Sequence, residues 1–242
     1  MKSDDRRRET GSRTRVKICC IANPEEARTA IGFGADAIGL VGKMPSGPGV
    51  IGDSVIREIA ALAPPAVETF LLTSETEADD IISHYRRTLT TAIQIVDYVE
   101  ENVYEKLRRE IPSTKIVQVI HVEDESCIDR AMRVKDFVNG ILLDSGRPNA
   151  NTKILGGTGI THNWEISGEI VERTGVPVFL AGGITPENIG AAVMSVRPFG
   201  IDACTGVRTA GILDRDKLKR LFEEIARVDR ATVEQPVRVS SK

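Results

Sequence analysis

Val16-Lys17-Ile18-Cys19-Cys20-Ile21-Ala22-Asn23-Pro24-Glu25-Glu26-Ala27 holds one complete structural beat of this chain. The run 16–21 is short, apolar and β-branched at intervals, which reads as a strand buried on both faces, as in parallel sheets. Asn23 then offers an N-cap, and Pro24 presets the first helical φ. Glu25 and Glu26 sit where the helix dipole favours negative charge. Gly34 follows where that helix should stop, because glycine readily takes the left-handed C-cap conformation.

The same beat recurs through the chain. Strands are predicted over 16–21, 37–41, 68–72, 92–96, 115–121, 140–143, 177–180 and 200–203. Helices are predicted to begin near Glu25, Asp53, Glu75, Glu101, Glu123, Asn163, Pro186 and Asp214. Thr185-Pro186-Glu187 repeats the first N-terminal signal, and Gly175 repeats the C-terminal one. Eight alternating units in 242 residues match the length and rhythm of a single-domain α/β fold, the (β/α)₈ TIM barrel. A doubly wound open sheet is the alternative. Residues 1–15 and 229–242 are polar and lack apolar periodicity, so they read as a disordered leader and a flexible tail flanking a barrel over 16–228.

Composition narrows the function classes. A net charge of −3 and 4% aromatic residues give neither the basic footprint nor the stacking platform of a nucleic-acid binder. There is no long apolar run for a membrane span and no signal peptide, so a cytoplasmic setting is expected. Four cysteines, Cys19, Cys20, Cys127 and Cys204, lack the paired spacing of a zinc site or a CxxC redox motif. The expectation is therefore no metal site, in a monomer or homodimer.

Barrel enzymes place their chemistry at the C-terminal strand ends. That filter selects Cys19 and Cys20, Lys43, Thr73, Asp97, His121, Asp144, Gly182 and Gly183, and the turn 204–206. Gly182-Gly183 after strand seven and Thr205-Gly206 after strand eight fit the place where this fold commonly binds phosphate. Gly156-Gly157-Thr158-Gly159 after strand six adds a third such turn. Backbone amides in glycine loops approach an anion closely, so a phosphorylated small molecule is the expected partner. Asp144 ends an apolar run, and desolvation there suits a general acid; an N-cap or ion-pair role is equally open to it. Cys19 can act as a base only as thiolate, and otherwise reads as a small core hydrophobe. His121 reads as a hydrogen-bonded wall residue, His84 as a helix-surface residue and His162 as a loop residue.

Several motifs, in order from about residue 15 to 227, resemble the phosphoribosylanthranilate isomerase family. They are Val16-Lys17-Ile18-Cys19, Gly34-Ala35-Asp36-Ala37, Leu142-Leu143-Asp144, Gly156-Gly157-Thr158-Gly159, Ala181-Gly182-Gly183, Pro186-Glu187-Asn188, and Gly200 with Asp202 and Gly206-Val207. The resemblance implies a cofactor-free Amadori rearrangement in tryptophan biosynthesis. Asp144 would be the general acid that opens the ribose ring, and Cys19 the base that takes the C2′ proton. Gly157, Gly182, Gly183, Thr205 and Gly206 would hold the phosphate, with Lys17, Lys43, Gln94 and Asp202 as further substrate contacts. Departures from the family pattern are equally specific: Cys20 replaces a glycine, and Arg208 a glutamate. Gly49 stands where an arginine for the anthranilate carboxylate is expected, and Lys43 or Arg147 are the candidates to replace it. These departures leave open a phosphometabolite-binding barrel with a changed aglycone or no activity. A barrel aldolase or decarboxylase is a third reading, disfavoured because no lysine ends strand six.

Overall fold

A computed structural model describes residues 13–45, 47–146 and 162–234. Eight parallel strands close into a barrel in sequence order, β1 pairing with β8. They are β1 (Arg15–Ile18), β2 (Ala37–Val41), β3 (Glu68–Thr73), β4 (Ala92–Ile95), β5 (Lys115–His121), β6 (Gly140–Asp144), β7 (Val178–Leu180) and β8 (Gly200–Ala203). Helices cover the outside: α1 (Pro24–Gly32), α2 (Asp53–Leu62), α3 (Ala78–Thr88), α4 (Glu101–Glu110), α5 (Ser126–Val134), α6 (Trp164–Thr174), α7 (Ile189–Val196) and α8 (Arg215–Glu234). A small hairpin, β9 (Arg208–Thr209) and β10 (Ile212–Leu213), precedes α8. The open-sheet alternative is thereby excluded.

Strand alternation divides the core in two. Outward residues such as Ile18, Ile38, Leu71, Ile93 and Leu143 pack under the helices. Inward residues such as Ala37, Phe70, Leu72, Val117, Val119 and Phe179 fill the barrel. At this level the register sets Lys17 beside Asp202, and at the mouth His121 beside Asp144.

The element ends differ from the sequence reading for local reasons. β1 stops at Ile18 instead of running to residue 21, because Cys20 takes a left-handed φ of 61° that no strand accommodates. The first helical turn expected at Pro186 is instead a capped turn. Asn188 Oδ1 accepts from Thr185 N at 2.9 Å, Thr185 Oγ1 accepts from Glu187 N at 3.2 Å, and α7 begins at Ile189. The boundary expected at residue 15/16 lies earlier: Thr14 is buried, with its amide and hydroxyl both bonded to Asp229. The helix of the last unit carries on through Glu234, so residues 229–234 are helical and not a loose tail. Asp229 explains why, since it ties the start of the described chain to α8.

His84 is not on the helix surface. It is buried with Nδ1 3.0 Å from Thr73 Oγ1 and Nε2 3.2 Å from Asp53 Oδ1, and burial lowers its pKa. Thr73, a strand-end candidate, is spent on this contact.

Arg208 fastens the seam where the last unit meets the first. Its guanidinium bonds Glu26 Oε1 at 2.9 Å and Oε2 at 3.0 Å, and reaches the carbonyls of Cys20 at 2.5 Å, Gly211 at 3.0 Å and Cys19 at 3.3 Å. Burial works against this charge, but Glu26 outweighs it and raises the Arg208 pKa. Truncating one member of such a pair strands the other. Arg208→Ala should therefore lower the unfolding free energy by about 3 kcal/mol in urea titration. A loss under ~0.5 kcal/mol would show the seam to be held by packing alone.

Candidate active site

The mouth of the barrel encloses a cavity walled by Cys19 and Cys20 of the first unit, Gln94 and Val96 of the fourth, and Asp144 of the sixth. Gly182, Gly183 and Ile184 after β7, and Asp202, Cys204 and Thr205 of the eighth unit, complete the far side. Met44, Gly47 and Pro48 form an apolar shoulder beside Cys20. The two residues expected to carry the chemistry thus line one cavity from opposite strands.

Cys19 rests against the floor made by Gly39. A Cβ built on that glycine would come 2.6 Å from Cys19 Sγ and 2.9 Å from Lys17 Nζ, so thiol and ammonium share one seat. Lys17 Nζ donates to Asp202 Oδ2 at 2.8 Å, and both residues are buried. Burial opposes the lysine's charge, but Asp202 and Cys19 outweigh it and its pKa is raised. Burial also raises the Asp202 carboxyl, with Lys17 pulling the other way. The Cys19 thiol is held below its ordinary range, first by a hydrogen bond from Cys20, against burial and the Asp202 charge, with Lys17 assisting.

Asp144 ends β6 half-buried, and Oδ1 accepts from Ser145 N at 2.7 Å. Desolvation nevertheless raises its pKa, with the Ser145 amide and the nearby His121 opposing. His121 is fully buried, its Nε2 2.9 Å from the Val96 carbonyl, a wall residue as the sequence suggested. Gln94 is buried, and its Oε1 has no partner among the described residues.

After β7 the chain turns through Gly182 at φ 78° and Gly183 at φ 61°, conformations in which side chains are strained. Asn188 Nδ2 donates to Gly183 O at 2.8 Å and fixes the turn. Thr205–Val207 forms a single 3₁₀ turn, and a side chain on Gly206 would collide with the Ile184 carbonyl. Gly182, Gly183, Thr205 and Gly206 therefore lie side by side at one rim. Gly157 and Arg147 lie outside the described residues. Lys43 is exposed and is not among the residues that wall the cavity.

The match to known proteins covers the whole barrel. Residues 16–224 fit the sequence family described as N-(5'phosphoribosyl)anthranilate (PRA) isomerase. The chain belongs to this isomerase family. The N-(5'-phosphoribosyl)anthranilate isomerase of Methanocella arvoryzae is 31% identical over 89% of this chain and 99% of its own. The crystal structure of phosphoribosyl anthranilate isomerase from Thermus thermophilus is 26% identical, with a TM-score of 0.74 over 89% of this chain and 100% of that one. A second structure, of phosphoribosyl anthranilate isomerase in complex with reduced 1-(o-carboxyphenylamino)-1-deoxyribulose 5-phosphate, is 28% identical, with a TM-score of 0.70 over 88% of this chain and 98% of that one.

Against the isomerase pattern, two departures meet in space. Gly49 has φ 79°, and a Cβ there would lie 2.6 Å from Cys20 Cβ and 3.0 Å from Cys20 Cα. The side chain that the family pattern lacks at 20 occupies the space that a side chain at 49 would need. Among the described residues, no arginine or lysine lines the cavity. The third departure, Arg208, has its reason in Glu26, which it pairs; sequence spacing alone could not join residues 182 positions apart.

His162 also differs from a simple loop residue. Its Nε2 lies 2.7 Å from Ser167 Oγ, Gly182 packs over its Nδ1, and burial lowers its pKa to about 4. Protonated in the unfolded chain below pH 6.5 but neutral in the fold until about pH 4, it makes stability fall as pH drops through that window. Denaturant titrations at pH 7 and 4.5 should show a loss larger by roughly 2–3 kcal/mol than in His162→Gln. Equal losses in the two proteins would place the titrating group elsewhere.

Proposed function

We infer that this protein catalyses the Amadori rearrangement of N-(5'-phosphoribosyl)anthranilate, an aminoaldose phosphate, to the corresponding aminoketose phosphate in tryptophan biosynthesis. The observation that carries this is the meeting of Cys19 and Asp144 across one cavity, beside the glycine turns after β7 and β8.

The two pKa directions divide the work. Burial raises the Asp144 pKa and so favours the protonated form, which donates a proton to the furanose ring oxygen; the ring opens and the amine nitrogen forms a Schiff base. Cys19, favoured as thiolate, removes the C2′ proton, giving the enolamine that tautomerises to the ketone. Nothing is added or lost, so the step needs only the acid, the base and a substrate held still. The turns at 182–183 and 205–206 hold the phosphate with main-chain amides, placing C2′ between thiol and carboxyl. Gln94, with its free acceptor, offers a hydrogen bond to the sugar hydroxyls or the amine N–H. A cytoplasmic setting, which keeps thiols reduced, suits a mechanism that needs Cys19 free.

The cation-free apolar shoulder of Met44, Gly47 and Pro48 favours a second reading, in which the aglycone differs from anthranilate. Both readings are tested by one assay, the loss of anthranilate fluorescence from the substrate beside an analogue lacking the carboxylate. The wild type should turn over the anthranilate substrate. Asp144→Asn and Cys19→Ala should each lose 10²–10⁴-fold in kcat, yet still bind the reduced product analogue. Turnover of the analogue alone would move the assignment to a different aglycone, and binding without turnover of either would make the barrel a non-catalytic binder.

A further inference from the structure

β1 ends at Ile18, so the carbonyls of the buried residues Cys19 and Cys20 lie past the strand and need donors from elsewhere. Arg208 supplies them. Its Nη2 donates to Cys20 O at 2.5 Å and to Cys19 O at 3.3 Å, and also meets Glu26 Oε2 at 3.0 Å. The flanking amides are tied to the barrel, Cys19 N to Ala203 O at 2.8 Å and Ile21 N to Gly39 O at 3.0 Å. What these bonds fix is a conformation that the chain does not choose unaided. Cys20 sits at φ 61°, which a residue with a Cβ disfavours about tenfold and glycine does not. Released, this turn would relax, and the peptide plane between 19 and 20 would rotate with it. A guanidinium suits the task because it offers several N–H donors in one rigid plane. The charge pair alone is no sufficient reason for an arginine here, since buried pairs add little over apolar side chains of like volume.

We propose that Arg208 is a positioning residue for the isomerisation. By holding the Cys19 and Cys20 carbonyls it keeps the left-handed turn at Cys20, and the turn keeps the Cys19 sulfur seated over Gly39, where the base acts. The inference rests on Cys19 being the base of the proposed reaction. Arg208 is not among the residues that wall the catalytic cavity, so it acts through the backbone and not on the substrate.

Two changes release the carbonyls while sparing the seam. Arg208→Lys keeps a charge for Glu26 but lacks the planar fork. Glu26→Gln with Arg208→Met removes both charges together, so neither is stranded, and leaves an acceptor for the Ala22 and Leu213 amides. Each is made with Cys20 retained and in a Cys20→Gly background, and urea titration checks that all are folded. Hydrogen exchange at the Ile21 amide, read by NMR, reports the turn; kcat and KM for the anthranilate substrate report its use. With Cys20 retained, both changes should speed Ile21 exchange and lower kcat, each about tenfold, with KM unchanged. In the Cys20→Gly background both effects should shrink to within about twofold, because glycine takes the turn without help. A merely structural Arg208 would affect stability alike in both backgrounds and leave the kcat of the folded protein alone. An unmoved kcat with Cys20 retained, or equal losses in the two backgrounds, would overturn the proposal. Exchange needs no substrate, so a wild type without turnover would sink the isomerase reading separately, and unmoved exchange would overturn the clamp on its own.

Discussion

The site depends on one buried guanidinium. Arg208 carries a full charge into a space closed to water, and such a charge persists only if partners replace its hydration. Glu26 supplies the counter-charge from α1, and three carbonyls take further N–H donors. Two of those carbonyls belong to Cys19 and Cys20, so the interaction that neutralises Arg208 also fixes the backbone at the end of β1. Glu26 is fully engaged in turn, accepting from Ala22 N and Leu213 N as well. First strand, first helix and final hairpin are thereby locked around the atoms that present the thiol.

A second charge pair lies one layer deeper. Lys17 and Asp202 sit at register partners across the β1–β8 seam, where the barrel closes. Buried pairs of this kind contribute little net stability compared with apolar side chains of similar volume. Their presence beneath the cavity is better understood through Cys19, whose sulfur rests beside the lysine nitrogen over Gly39. Asp202 Oδ1 has no partner among the described residues, and Asp202 is one of the residues that wall the cavity. Stability and chemistry thus draw on the same side chains at the seam.

The fold was legible because its signals are local. Apolar runs such as 37–41 and 115–121 coincide with β2 and β5, and Asn23 caps α1 as its side chain suggests, accepting from Glu26 N at 2.9 Å. Strand-end position then singled out Cys19, Asp144 and Gly182-Gly183, because barrel geometry fixes where strand ends go. What sequence could not supply were contacts between distant segments. His84 looks like a polar residue on an amphipathic helix, and only Asp53 of the second unit and Thr73 at the end of β3 reveal it as a buried one. Lys43 stands at a strand end, yet it is exposed and does not wall the cavity. Thr185-Pro186-Glu187 carries a helix-start signal that Asn188 diverts into a turn.

The departures at 20, 49 and 208 look like three separate losses when read along the chain, but in space they form one arrangement. Arg208 holds the Cys20 carbonyl, which sustains the left-handed turn; the turn swings the Cys20 side chain toward Gly49; and the closeness of Gly49 leaves no room there for a side chain. A Cβ placed at 49 would meet the Cys20 Cβ at 2.6 Å and the Cys20 Cα at 3.0 Å, so backbone as well as side chain at 20 crowds that position. The exchange trades a long cation at the rim for a second sulfur beside the first. Among the described residues the rim is walled by Met44 and Pro48, while Cys19, Gln94 and Asp202 bring polar groups to the same cavity.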